Sequence, residues 1–118
     1  MDTELNEITY ARGHYTCVYC GFDGRDFDSW LQLTIEHVMP RSCGGKDEPS
    51  NRVVACRWCN STTGKMRFSS ELTREEILAS KRDYIAKSRR HAHELWMREV
   101  APKHLDRPLS PLDPFSDR

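Results

Sequence analysis

Four cysteines constrain this chain more than any other residues. Cys17 and Cys20 stand in the spacing C-x2-C, as do Cys56 and Cys59, and 35 residues separate the two pairs. Two intervening residues let both sulfurs of a pair reach one ion, and four thiolates complete the closed tetrahedral shell of a structural Zn2+. The gap exceeds the roughly fifteen to twenty residues of a simple zinc ribbon, so further structure sits between the knuckles. A redox reading of either pair needs a following βαβ pattern, which the sequence lacks. Cys43 matches neither pair and reads as an ordinary loop thiol.

The rest of the composition explains why such a staple is needed. With 118 residues, 37% of them apolar, and a mean hydropathy of -0.75, the chain supports one thin-cored domain. It contains no apolar run of membrane-spanning length, and "MDTELNEITY" lacks a basic-then-apolar leader pattern. The expectation is a cytoplasmic protein without a membrane partner, in a reducing compartment where paired cysteines serve metals rather than disulfides. The net charge is zero, yet its distribution is uneven. Residues 1–36 carry two basic and seven acidic side chains, whereas residues 37–70 carry six basic ones (Arg41, Lys46, Arg52, Arg57, Lys65, Arg67) and two acidic. Such a local cluster can hold phosphate although the neutral whole gives little long-range steering.

Turn signals and periodicity divide the chain. Residues 4–12 predict a short helix with Leu5 and Ile8 inward, stopped by Gly13. "WLQLTIEHV" alternates as a strand with Leu31, Leu33 and Ile35 on one face, "RVVA" gives a second strand, and Cys56 opens a helix ended by Gly64. Thr73 and Glu76 form a capping box ahead of a longer helix with Ile77, Tyr84, Ile85, Leu95 and Trp96 as its apolar series, running to about Val100 before Pro102. Lys81, Arg82, Arg89 and Arg90 are read with the acidic residues as its solvated face. The pattern is α+β, with a zinc-stabilised domain over residues 1–70, a helical extension over 71–100 and a Pro-rich tail, expected to be disordered, over 101–118.

Between the cysteine pairs lies the reactive chemistry. Glu36 and His37 place a hard oxygen ligand beside a group that titrates near neutrality, and Asn60, directly after Cys59, offers a second oxygen. Phosphodiester hydrolysis needs a base for water and a divalent cation to offset charge on the phosphate and the leaving oxygen. Sparse protein ligation suits Mg2+, which keeps most of its waters. Taken singly, a histidine or an asparagine is more often a surface or turn residue. The ordered set, bracketed by both cysteine pairs, is harder to explain that way.

The order C-x2-C, "EH", "GG", Asn51, "C-x2-CN" resembles the zinc-containing HNH endonucleases, in their HNN variant, over residues 10–67. The resemblance implies the ββα-metal (His-Me finger) fold with a four-cysteine zinc site, to which the long C-terminal helix is added. By position it implies that His37 is the general base and that Asn51 holds the loop and fixes the imidazole. Glu36 and Asn60 then ligate a catalytic Mg2+ or Mn2+. Glu36 stands where aspartate is more frequent, and Thr63 where lysine is common, with Lys65 two residues on. The implied activity is DNA endonucleolysis leaving 5'-phosphate and 3'-hydroxyl ends, with Arg41, Arg57, Lys65 and Arg67 on the DNA backbone. The alternative is a zinc-stabilised nucleic-acid-binding module that does not cleave. The helix over Thr73 to Val100 is also long enough to pair with a second copy.

Overall fold

The computed structural model describes residues 3–104, with side chains over residues 6–103. The expectations for Leu5 and for a disordered tail beyond residue 104 lie outside those residues. Helix α1 (Thr3–Arg12) turns Thr9 inward and leaves Ile8 52% exposed, the reverse of the expected facing. Gly13 sets that rotation: a Cβ there would lie 2.9 Å from Val54 Cγ2, and Thr9, four residues earlier, shares its face. The chain then leaves the helix through His14 and Tyr15, both left-handed (φ 54° and 52°), and Tyr15 stacks on Tyr10.

Residues 16–23 close a tight turn through the bonds Cys17 N–H to Phe22 O and Gly21 N–H to Cys17 O, with Gly21 at φ 79°. A one-turn helix α2 (Phe27–Trp30) follows, capped by Asp26 on the Ser29 N–H. It takes up the start of the expected strand, so Leu31 is exposed rather than inward. Strand β1 (Leu33–His37) pairs antiparallel with β2 (Arg52–Cys56), with Glu36 opposite Val53 and His37 opposite Arg52. Opposed residues share a face. One face therefore carries Leu33, Ile35, His37, Arg52 and Val54, and the other carries Thr34, Glu36, Val53 and Ala55. Helix α3 (Arg57–Thr63) starts directly from β2 with Cys56 as its N-cap, giving strand, strand, helix in sequence.

Helix α1 covers the first face through Gly13 and through Asn6, which accepts from Arg52 Nη1 at 2.9 Å. Helix α3 covers the second through Asn60 and Thr63. Covered on both sides, all five β2 residues are buried. The long helix α4 (Arg74–Leu95) opens on the expected capping box: Thr73 N–H donates to Glu76 Oε1 at 2.9 Å, and Glu76 N–H to Thr73 Oγ1 at 3.1 Å. Such a box stabilises a helix start by about 1 kcal/mol.

The buried stripe of α4 is Ile77, Leu78, Lys81 and Ile85, while Tyr84, Leu95 and Trp96 are exposed. Lys81, expected on the solvated face, is thus a correction: it is 1% exposed. The first compact unit runs from Met1 to Ala86, inside α4, and a second begins at Lys87. In the second unit, Trp96–Val100 widen into a π-helical turn in which Ala101 N–H returns to Trp96 O, and Ala101–His104 form α5. The chain therefore stays helical through Pro102, where a stop and an irregular tail were expected. Proline has no N–H to donate and its ring crowds the carbonyl four residues back, and the wider turn at Arg98 relieves both.

Candidate active site

The four sulfurs of Cys17, Cys20, Cys56 and Cys59 lie within 4.8 Å of one another, and Cys20 Sγ is 3.8 Å from Cys56 Sγ. Thiolates arranged tetrahedrally about 2.3 Å from a Zn2+ stand roughly 3.8 Å apart, so the donor set fits that ion in number, chemistry and spacing. The turn over residues 16–23 supplies one pair and the β2–α3 junction the other. Burial opposes ionisation of Cys17, but N–H groups of Cys20, Cys56 and Tyr19 aimed at its sulfur lower its pKa. Cys59 is raised by burial and then by the Cys17 charge. A bound cation reverses that mutual repulsion.

Glu36 lies on the face covered by α3. Its Oε1 accepts from Lys81 Nζ at 3.2 Å and lies 2.9 Å from Thr63 Oγ1, whose single proton is shared with Cys59 O at 3.0 Å. Its Oε2 is buried without a further hydrogen-bond partner among the described residues. The Tyr19 hydroxyl is in the same condition, and its pKa is raised by burial and by the adjacent Glu36. The two groups are neighbours, since Glu36 acts on the Tyr19 hydroxyl through a side-chain hydrogen bond as well as through its charge, and it is the oxygen chemistry of Glu36 beside Asn60 in the cleft that fits a hard cation. The Lys81 ammonium also donates to His37 O at 3.2 Å and Val38 O at 2.8 Å. Burial lowers its pKa, with Glu36 opposing.

Donor and acceptor counting fixes Asn60. The single proton of Thr34 Oγ1 goes to Ala55 O at 2.9 Å, so Thr34 must accept from Asn60 Nδ2, 3.0 Å away. That leaves Asn60 Oδ1 as the amide atom free for a ligand. Glu36, His37, Arg41, Asn60, Thr63 and Lys81 bound one cleft of about 230 Å3 at the end of β1.

His37 lies on the opposite face of the hairpin, and its partner is one that sequence reading missed. Its Nε2 is 2.8 Å from Asp47 Oδ1, which also accepts from Arg52 Nε at 2.9 Å, and Arg52 is buried. The hydrogen bond from His37, with Arg52 adding to it against slight desolvation, lowers the Asp47 pKa, so this carboxylate is ionised and accepts only. The Nε2 therefore carries a proton, and in the neutral ring the lone pair is on Nδ1. Adjacent strand residues must diverge, yet both reach the cleft because it lies at the unpaired edge of β1. Val38 N–H donates across to Asn51 O, so the alternation of an antiparallel ladder turns His37 O outward to that edge, where Lys81 meets it.

Asn51 grips the loop between the strands. Its Oδ1 accepts from Met39 N–H at 2.8 Å, and its Nδ2 donates to Met39 O at 3.0 Å and Lys46 O at 2.9 Å. It does not touch the imidazole; it holds the backbone one residue before Asp47, which does. Gly45 packs against the same strand end, where a Cβ would sit 1.8 Å from Met39 O. Of the expected phosphate contacts, Arg41 borders the cleft, whereas Arg57, Lys65 and Arg67 are exposed and do not line it. Arg57 donates through Nε to Leu31 O at 3.1 Å. Arg67 lies beside Cys43, whose pKa is lowered by the Phe68 N–H first and by Ser42 and Arg67 after it.

Among the described residues, no helix is long and apolar enough to cross a membrane. No curated protein and no solved structure matches the chain. A family model described as HNH endonuclease matches residues 17–75, half of the chain. The matched stretch begins at the first knuckle cysteine, contains both strands and α3, and ends two residues into α4. With the ββα arrangement and the four-sulfur site inside it, that match is decisive, and the chain belongs to the HNH endonuclease family.

Proposed function

We propose that the protein is a metal-dependent DNA endonuclease. The observation that supports this most directly is the hydrogen-bond assignment at two side chains. Nε2 of His37 is committed to Asp47 and Nδ2 of Asn60 to Thr34, which leaves a lone pair on Nδ1 and another on Oδ1. His37 takes the proton of the attacking water at Nδ1, and Asp47 holds the ring in that tautomer and stabilises the imidazolium. Glu36 and Asn60, through Oδ1, would hold Mg2+ or Mn2+, which when bound would offset charge on the scissile phosphate and on the departing oxygen. Arg41 faces the phosphate from the cleft wall, while Arg57, Lys65 and Arg67 meet the backbone farther out, positioning without reading bases. Departure of the 3'-oxygen leaves 5'-phosphate and 3'-hydroxyl ends.

Conversion of supercoiled plasmid in Mg2+ or Mn2+ tests the reading. His37→Ala should lower the rate at least about a hundredfold, the usual loss for a general base, while retaining DNA binding. Binding by the parent without cleavage in any metal would identify a non-catalytic module instead.

A further inference from the structure

The long helix carries a charge into the cleft from outside the matched stretch. Lys81 lies six residues beyond it, 1% exposed, with its ammonium on three oxygens: Glu36 Oε1, His37 O and Val38 O. The rings of Tyr19 and Phe68 flank it, 5.8 and 5.7 Å from Nζ to their centroids. Three donors meet three acceptors, so this lysine is fully satisfied and fixed in place. All three acceptors are at the strand end where Glu36 and His37 diverge. The pairing is asymmetric within one carboxylate, since Oε1 takes both Thr63 and Lys81 and Oε2 takes neither.

We infer that Lys81 is a positioning residue of the nuclease site: by binding Oε1 and the two carbonyls it fixes the Glu36 carboxylate at the cleft and holds down the affinity of the cleft for a divalent cation. The ammonium does this in two ways. It fixes the carboxylate rotamer and occupies Oε1, an oxygen that a cation would otherwise take. It also places a full positive charge about one hydrogen bond from the ligand, and that charge repels a second cation in a site where screening is weak. A cleft built this way holds its ion loosely until phosphate oxygens complete the shell, which ties metal retention to the presence of substrate.

The inference rests on the reading of Glu36 as a metal ligand, and Mn2+ binding to the zinc-loaded protein without DNA separates the two. Calorimetry or the loss of free Mn2+ signal in electron paramagnetic resonance gives the affinity. Glu36→Gln should abolish binding at the cleft; if it binds as the parent does, the ligand assignment itself fails. Lys81→Met removes the charge but keeps the length, and it should bind Mn2+ about tenfold more tightly while its kcat on DNA falls at least tenfold. Generic structural damage would weaken both, so affinity and turnover moving in opposite directions is the signature. Lys81→Arg, which keeps the charge, should restore the parent's Mn2+ affinity at least in part. Unchanged or weaker Mn2+ binding by Lys81→Met, with Glu36→Gln still abolishing it, overturns the role of Lys81 alone. If Lys81→Met does not fold in metal-free buffer, Mn2+ titration should recover the fold by neutralising Glu36, and absence of recovery overturns the inference as well.

Discussion

Glu36 and His37 are neighbours in sequence and belong to different environments. Glu36 is 7% exposed, enclosed by Thr63, Lys81 and Tyr19 on the side of the hairpin packed against α3. His37 faces the α1 side and is linked to an exposed loop carboxylate that a buried arginine holds from behind. One step along a strand thus separates an enclosed carboxylate from a more exposed imidazole, and the free edge of β1 lets both reach the same cleft. The proposed ligand rests on α3 and α4 and the proposed base on the 38–51 loop, with Lys81 of α4 touching both through Glu36 Oε1 and the His37 and Val38 carbonyls, so a change confined to the loop should spare the ligand.

The four-sulfur site underlies both, so its loss should have the largest effect. Cys56→Ser, or zinc removal by a strong chelator, should unfold the first unit, since zinc ligation contributes on the order of ten kcal/mol of folding free energy in small domains. Circular dichroism and loss of all cleavage check this; a variant melting with the parent would remove the zinc from the account. Asn51→Ala comes next. It deletes three hydrogen bonds of a half-buried side chain to Met39 and Lys46 and should destabilise by about 2 kcal/mol. Cleavage should drop sharply while Mn2+ affinity at Glu36 stays within about threefold, a split that equal losses of both would contradict. Asp47→Asn is the smallest change. The carboxylate is half-exposed but is the counter-charge of the buried Arg52 guanidinium, so the variant should stay folded with a lowered melting temperature. The amide can still accept from Nε2 but does not stabilise an imidazolium, and kcat should fall roughly ten- to a hundredfold with KM nearly constant. A change confined to KM would assign Asp47 to substrate binding instead.

The sequence made some of this comparison legible and concealed the rest, for physical reasons. Metal ligation imposes a spacing, so both cysteine pairs could be read, and a capping box is a local signature, so the start of α4 at Thr73 could be read as well. Lys81 was hidden because helix charge patterns are ordinarily solvated. The available signal was positional: Ile77, Lys81 and Ile85 recur every four residues, and a lysine centred in such a stripe points inward. Asp47 carried no signal, because its pairing with His37 depends on how the loop folds back, and an acidic residue in a polar loop is unremarkable. Ile8 and Leu31 misled because apolarity was taken as inwardness, whereas Gly13 and the short helix α2 decided which side faced the core.

One residue of the first knuckle belongs to both halves of the site. Tyr19 sits between Cys17 and Cys20, and its ring and hydroxyl lean against Lys81 and Glu36. Loss of an ion held by the four thiols should therefore also displace the Tyr19 ring from Lys81 and Glu36 and deform the wall of the cleft, so damage at the sulfurs is expected to be felt at the oxygens.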